Sequence, residues 1–467
     1  MGQEYKEILR IQKENSQDGV ASFEKIVTYL LNSRDILYDA KFREDTLNKI
    51  QLALRDPSCI RFHDTLLLLW EKIERIEQEI IEHIPQNTEV LGKGGFGCVV
   101  KPALPNRKNG AWRTYPNNVS KVYFESNNAT KGLQNAKRMY NSLKNEGHKM
   151  MKQPLTYKGS NLPSRTRRMC NIQENNIVTS TRMPHLGVSV ADSLRQYTRF
   201  RKIPVHILFG QFVKLFQQLT TIVDQGYVHG DIRESNVMVN PKTGVFTLID
   251  FDWFMPKHEF FEDYKQNLGF YNNPPESLLY ESVLNHLRGE PLHYTIPTQK
   301  VNAYVTDNNR LRNISKFTSN ALNEANAETI RKFANIRTIQ EYFDAIFPSF
   351  DSYGMGYTLL IFCEYVYPYK TPMGDKFRDQ GVRYTAEEVA VVELYVQQLY
   401  ETVLFPTTDL RMEKRLNAHT AYTNMKRVHE EFETAMRNLV SNNLERFAKR
   451  TEIVENYKPK GTRKRRG

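Results

Sequence analysis

One eight-residue run and its sequel constrain this chain more than any other feature. His229-Gly230-Asp231-Ile232-Arg233-Glu234-Ser235-Asn236 is followed, after an apolar stretch, by Ile249-Asp250-Phe251-Asp252. An acid is thus followed by an amide five residues on and by a second acid fourteen residues after that. This set suits phosphoryl transfer from a metal-bound nucleotide. One carboxylate orients an attacking hydroxyl, while an amide oxygen and another carboxylate hold magnesium. Magnesium is a hard cation that needs few protein oxygens when phosphates supply the rest.

Upstream, residues Val90-Leu91-Gly92-Lys93-Gly94-Gly95-Phe96-Gly97-Cys98-Val99-Val100 read as strand, glycine turn, strand. Glycines let a backbone approach phosphates closely, and Val99 can cover an adenine ring. A dinucleotide-binding turn uses similar letters but opens a helix. Here Cys98, Val99 and Val100 are small or β-branched, and Pro102 and Pro105 intervene, which favours a hairpin. Val119 to Phe124 reads as a strand carrying Lys121, a point charge suited to phosphates. Residues 102 to 118 are polar and rich in turn formers, and read as an enlarged loop between strands. Ile177 to Met183 reads as a further strand, and Ser189 to Arg199 as a short helix. Between Val205 and Gln225, Ile207, Leu208, Phe212, Leu215, Phe216, Leu219, Ile222 and Val223 recur at helical spacing with one buried stripe.

In this order, the motifs resemble those of the protein kinase superfamily. His229-Gly230-Asp231 stands where those enzymes carry H-R-D, Arg233 at their catalytic-loop Lys, Asn236 at their Asn, and Asp250-Phe251-Asp252 at D-F-G. The glycine run fits G-x-G-x-x-G-x-V at every fixed position. Gly269 to Glu276 resembles the end of an activation segment, with Pro275-Glu276 standing for the P-E of A-P-E. Phe350 to Tyr357 resembles the start of the helix whose Asp (here Asp351) accepts backbone donors of the catalytic loop, and Gly356 there permits close packing. Arg415-Leu416-Asn417-Ala418-His419 resembles R-x-x-A, whose Arg pairs with the Glu at the position of Glu276.

The resemblance implies an α+β, two-lobed kinase-like fold, with a strand-rich lobe at 87–185 and a helical lobe at 186–457 that carries an insertion at about 281–345. Residues 1–86, whose apolar residues recur at helical intervals, read as a helical N-terminal extension. It implies ATP and Mg2+ as cofactors and a protein hydroxyl as acceptor, with Ser/Thr favoured by the basic Arg233. Asp231, Arg233 and Lys121 take the catalytic roles, and Asn236 and Asp250 hold the metal. Leu91, Gly92, Lys93, Gly94, Gly95, Phe96, Gly97, Cys98, Val99 and Lys121 bind the nucleotide. The acid partner of Lys121 falls to Glu146, the one acid in its window. The H-G-D-I-R start, the P-P-E ending and the long loops resemble kinases encoded by large nucleocytoplasmic DNA viruses. Two other readings stand beside this one: a small-molecule kinase of the same superfamily, which also uses H-G-D, and a catalytically silent scaffold.

The departures carry expectations of their own. Gly230 replaces an Arg that normally grips a phosphate on the activation segment, and residues 251–276 contain no Ser or Thr. Activation by phosphorylation of a Ser or Thr there is therefore not expected, and Gly230→Arg is predicted to leave activity unchanged. Asp252 replaces a Gly that eases the backbone turn. The roughly sixty extra residues after Glu276 read as a surface insertion with no chemistry of its own.

Composition bounds the rest. The chain has 467 residues, 40% of them apolar, and its longest apolar runs are too short to span a bilayer. No secretory signal is visible at its start. Four scattered cysteines suggest a reducing compartment and no metal cluster, hence an intracellular, cytoplasmic location, with virion association if the gene is viral. The net charge is +12, and six Lys or Arg fall in the last ten residues. This tail, 458–467, reads as solvated, with nucleic acid or an acidic surface as its candidate partner.

Overall fold

The computed structural model describes residues 7–8, 10–11, 19–32, 36–55, 62–85, 87–94, 97–108, 111–124, 130–132, 134–135, 137–138, 155–193, 203–240, 243–263, 272–291, 298–311, 318–372 and 385–440. They form an α+β fold whose described residues fall into two units that divide between His185 and Leu186. Glu146 and the basic tail lie outside the described residues.

In the first unit, Leu66, Leu69, Ile73, Ile76 and Ile80 recur every three or four residues and are buried, so α3 (His63–His83) presents one continuous apolar stripe. It packs against α1 (Gly19–Asn32) and α2 (Ala40–Arg55). The same stripe covers a five-stranded antiparallel sheet in the order β1-β2-β5-β7-β6, comprising Glu89–Lys93, Gly97–Lys101, Asn118–Tyr123, Ile177–Pro184 and Leu155–Lys158. Side chains alternate across a strand. Cys98, Val100, Val122 and Val178 join the helices in one hydrophobic core. Lys121 is paired with Val99 and Thr181, so these three share the opposite face of the sheet.

The stretch expected to be a loop is instead largely a second ribbon, β3 (Ala103–Lys108) with β4 (Ala111–Tyr115). Its polar residues concealed its anchors, among them buried Leu104, whose N–H donates to Ser120 at 2.9 Å, and Trp112. Trp112 stacks on His83 with ring centroids 4.9 Å apart, and its indole N–H donates to Glu79 at 2.6 Å. Tyr38 donates to the other oxygen of Glu79, also at 2.6 Å. The cysteine expectation also changes. Cys98 of β2 and Cys170, at the end of α4 (Ser164–Cys170), form a disulfide with Cα atoms 5.8 Å apart. Their separation of 72 residues gave no sign that strand and helix end would meet.

The second unit is mostly helical. α5 (Val205–Asp224) buries Leu208, Phe212, Leu215, Phe216, Leu219 and Ile222, and packs against α10 (Ile339–Val366) and α12 (Ala418–Val440), with α11 (Ala386–Leu399) alongside α12. Between the ends of α5 and α10 lie α6 (Lys257–Asp263), α7 (Tyr280–Leu287), α8 (Thr298–Leu311) and α9 (Ser319–Phe333). The 281–345 stretch is not the surface insertion expected of it. Val301, Tyr304, Leu322, Ile330, Phe333 and Tyr342 are buried in one core with Leu278, Leu279, Tyr280 and Val283. The helix expected to begin at Phe350 begins at Ile339, with Thr338 capping Glu341 N–H. No helix among the described residues is long and apolar enough to cross a membrane.

Candidate active site

A two-stranded turn brings the sequence-distant acids and amide together. β10 (Val237–Val239) pairs antiparallel with β11 (Phe246–Leu248), Val237 opposite Leu248 and Val239 opposite Phe246, all four buried. One further bond, Ile249 N–H to the Asn236 carbonyl at 2.9 Å, continues the ladder. Asn236 therefore lies beside Ile249, and Asp250 follows directly. The backbone of Asp250 is left-handed, with φ +64° and ψ +68°, a conformation Asp tolerates better than most residues. A single 3-10 turn, Phe251–Trp253, comes next and carries Asp252.

Within the preceding loop, the Asn236 side-chain N–H donates to the Asp231 carbonyl at 2.9 Å and to its carboxylate at 2.7 Å. Arg233 Nε lies 3.3 Å from the other carboxylate oxygen. A third group, Asn272, donates to that same oxygen at 3.4 Å and to the Ile232 carbonyl at 3.4 Å. Sequence reasoning did not single out Asn272. Burial pushes the Asp231 carboxyl above its usual range; Arg233 opposes this and the charge of Asp250 adds to it. His229 is buried, its ring packed edge-to-face with Phe251 at 5.3 Å between centroids, and burial pushes its imidazole down to about 4, so it is neutral near pH 7.

The loop is fastened from below by α10. Asp351 accepts the His229 N–H at 2.7 Å and the Gly230 N–H at 3.0 Å. Gly354 lies one turn on, and a Cβ there would come within 2.6 Å of the Ile232 carbonyl oxygen and 3.2 Å of that of Asn272. The bare backbone lets helix, loop and the 272 segment meet. Gly356, singled out from sequence, packs against Thr407 instead.

Gly230 has φ +80°, and a Cβ on it would lie 2.2 Å from Phe260 Cε2. Phe260 is fully buried and stacks edge-on against Phe350. The expectation that Gly230→Arg leaves activity largely unchanged takes no account of this packing: the space an Arg stem would need is occupied by a ring of α6. That helix is fixed independently. Lys257 pairs with Asp344 and lies over the Phe347 ring at 4.7 Å, and β12 (Met255–Pro256) pairs with β9 (Tyr227–Val228). Further along, Arg415 and Glu276 form a buried bidentate pair at 2.5 and 3.0 Å. Such pairs act as geometric clamps more than sources of net stability.

In the first unit, Leu91, Gly92 and Lys93 lie on β1, and Gly94 N–H donates to the Gly97 carbonyl at 2.8 Å to close the hairpin. Gly95 and Phe96 lie outside the described residues. Lys121 is 9% exposed, with Nζ 5.3 Å from the Tyr123 ring centroid. Val99 shares its face, whereas the Cys98 sulfur is engaged in the disulfide on the other face, so only its backbone is open to a ligand.

The donor chemistry fits a hard divalent cation. Asn236 spends its N–H on Asp231, so its amide oxygen, which accepts from the Ser235 hydroxyl at 3.4 Å, is the atom it can offer a cation, with Asp250 next in the chain after its ladder partner Ile249. The charge of Asp250 adds to the raised proton affinity of Asp231, a repulsion that a cation relieves. Among the described residues, no group of three or more His, Cys, Asp or Glu could hold a metal by itself. No protein-family model matches the chain, and no curated protein matches it.

Proposed function

We propose that this protein is an ATP-dependent phosphotransferase, a Ser/Thr protein kinase whose two units correspond to the small and large lobes of that superfamily. The observation that carries the reading is the bond from Asn236 to the Asp231 carboxylate, with Asp250 set beside Asn236 by the β10–β11 turn. The Asp351 contact to the loop backbone and the Glu276–Arg415 pair support it, because both were anticipated from the same resemblance.

In this reading, the oxygen of a serine or threonine hydroxyl bonds to the γ-phosphorus while the bond to the bridging oxygen breaks and ADP leaves. Asp231 orients the hydroxyl and receives its proton late in the transfer. Arg233, held against Asp231, offsets charge on the moving group. Asn236 and Asp250 would hold magnesium, which would supply neutralisation of the phosphate charge. Lys121 contacts the α- and β-phosphates, with Val99 against the adenine. Catalysis is mostly positioning and electrostatics.

Calorimetry tests the binding half of the reading. The parent is expected to bind ATP more tightly with magnesium than without, and Asp250→Asn to lose that difference. Lys121→Met is expected to weaken ATP binding under both conditions. An ATP affinity in the parent that does not respond to magnesium overturns the metal assignment.

A further inference from the structure

The 281–345 helices reach the candidate site through two phenols. The Tyr304 hydroxyl, on α8, donates to the Asn273 carbonyl at 2.9 Å. The Tyr353 hydroxyl lies 2.8 Å from it, so a proton chain runs from Tyr353 to Tyr304 to that carbonyl. Tyr342, at the start of α10, donates to the Glu276 carbonyl at 2.8 Å. Tyr304, Tyr342, Tyr353, Asn273 and Glu276 are all essentially buried. The short segment 272–276 is thus gripped at both ends, and its first residue, Asn272, is the one that bonds Asp231.

We propose that Tyr304 is a positioning residue for Asp231, acting through the 272–276 segment, and that the 281–345 helices are a built-in brace for the site. This inference rests on the phosphotransfer reading of that site. Three features make the brace necessary. Residues 251–276 contain no Ser or Thr, so no phosphorylated Ser or Thr holds the segment. Position 230 carries no Arg to grip a phosphate; Phe260 packs there instead. The Asn272 bonds to Asp231 and Ile232 are long, 3.4 Å each, so their direction depends on how firmly the Asn272 backbone is held. Taking the phenol donor from this buried carbonyl weakens the hold on the Asn273 backbone and favours local opening of the short segment. Tyr353 lies two residues after Asp351 on α10, so one helix braces both sides of Asp231: Asp351 holds the loop, and Tyr353 orders the phenol that holds the segment.

Tyr304→Phe removes one hydroxyl and leaves the ring in place. In the full chain it is expected to lower kcat by about 10- to 100-fold with the KM for ATP unchanged, because misplacement of the acceptor side affects the chemical step. Combined with Asn272→Ala, it is expected to add less than about threefold to the loss of Asn272→Ala alone, the signature of residues acting as a unit. A kcat within about threefold of the parent, or losses that multiply in the double variant, overturns the proposal. Amide hydrogen exchange over residues 229–236, read in the same proteins, separates this result from the fate of the kinase reading. If the parent transfers no phosphate, the kinase reading fails, and the exchange alone decides the brace: faster exchange in Tyr304→Phe supports it, and unchanged exchange overturns it.

Discussion

The ring of Phe260 occupies the space that any side chain at position 230 would need, 2.2 Å from where a Cβ would stand. Because Gly230 also has φ +80°, two independent costs fall on a substitution. Gly230→Ala is expected to destabilise the protein by about 2–4 kcal/mol, combining left-handed strain with overpacking. Chemical denaturation measures this through a lowered midpoint, and Phe260→Leu in the same chain should restore part of the loss. An unchanged midpoint in Gly230→Ala would show that the ring yields freely.

Asp351 makes stability depend on acidity. Burial pushes its carboxyl up to about 6, against the pull of the His229 and Gly230 N–H groups. The unfolded value lies near 3.9. A folded value above the unfolded one means that the native state binds the proton more tightly. This group's favourable term is therefore full below about pH 4 and is lost as pH rises through about 6. The swing is of order 2–3 kcal/mol. Asp351→Asn should remove it, so the stability difference between parent and variant should change with pH between 4 and 6. A difference that stays flat across that range contradicts the assignment.

The disulfide between Cys98 and Cys170 fixes a strand of the glycine hairpin to the end of α4. It closes a loop of 72 residues, which corresponds to about 4 kcal/mol of chain entropy in the unfolded state. Thiol titration of the denatured protein should find two fewer thiols before reduction than after it, the pair being Cys98 and Cys170. Reduction should lower the melting temperature. Four titratable thiols in protein purified without reductant would contradict the pairing.

Glu276 and Arg415 are both nearly inaccessible to solvent. Removing one partner leaves a buried charge, so Glu276→Ala is expected to cost about 3–5 kcal/mol, whereas the joint change Glu276→Leu with Arg415→Met should cost less. Denaturation midpoints of the three proteins decide it. A double variant less stable than Glu276→Ala would contradict this account.

What could be read in advance was whatever local geometry or a fixed motif spacing determines. The β1–β2 hairpin, the strand bearing Lys121 and the α5 helix followed from alternation, glycines and a helical stripe. The contacts of Asp351 and Arg415 were anticipated from motif positions, although they span 122 and 139 residues. The missed features are tertiary. Asn272 is one amide among many until the chain brings it against Asp231. The burial of 281–345 was hidden by its polar composition, yet Val301, Tyr304 and Asn308 sit at helical spacing and are all buried, a stripe that could have been noticed. The ribbon at 103–115 was hidden for a similar reason, since a few apolar residues, Leu104 and Trp112 among them, anchor an otherwise polar stretch. Nothing in the spacing of Cys98 and Cys170 signals their meeting.

The central claim is that Asp231, Asn236 and Asp250 work together on a metal-bound triphosphate. Transfer of labelled γ-phosphate from magnesium ATP, to the protein itself or to a generic basic protein, tests it most directly in the parent, Asp231→Ala and Asp250→Asn. The account predicts incorporation by the parent and rates at least about 100-fold lower in both variants, since each loses a group at the reacting centre. No incorporation by the parent, or an Asp250→Asn rate within about tenfold of it, would contradict the account.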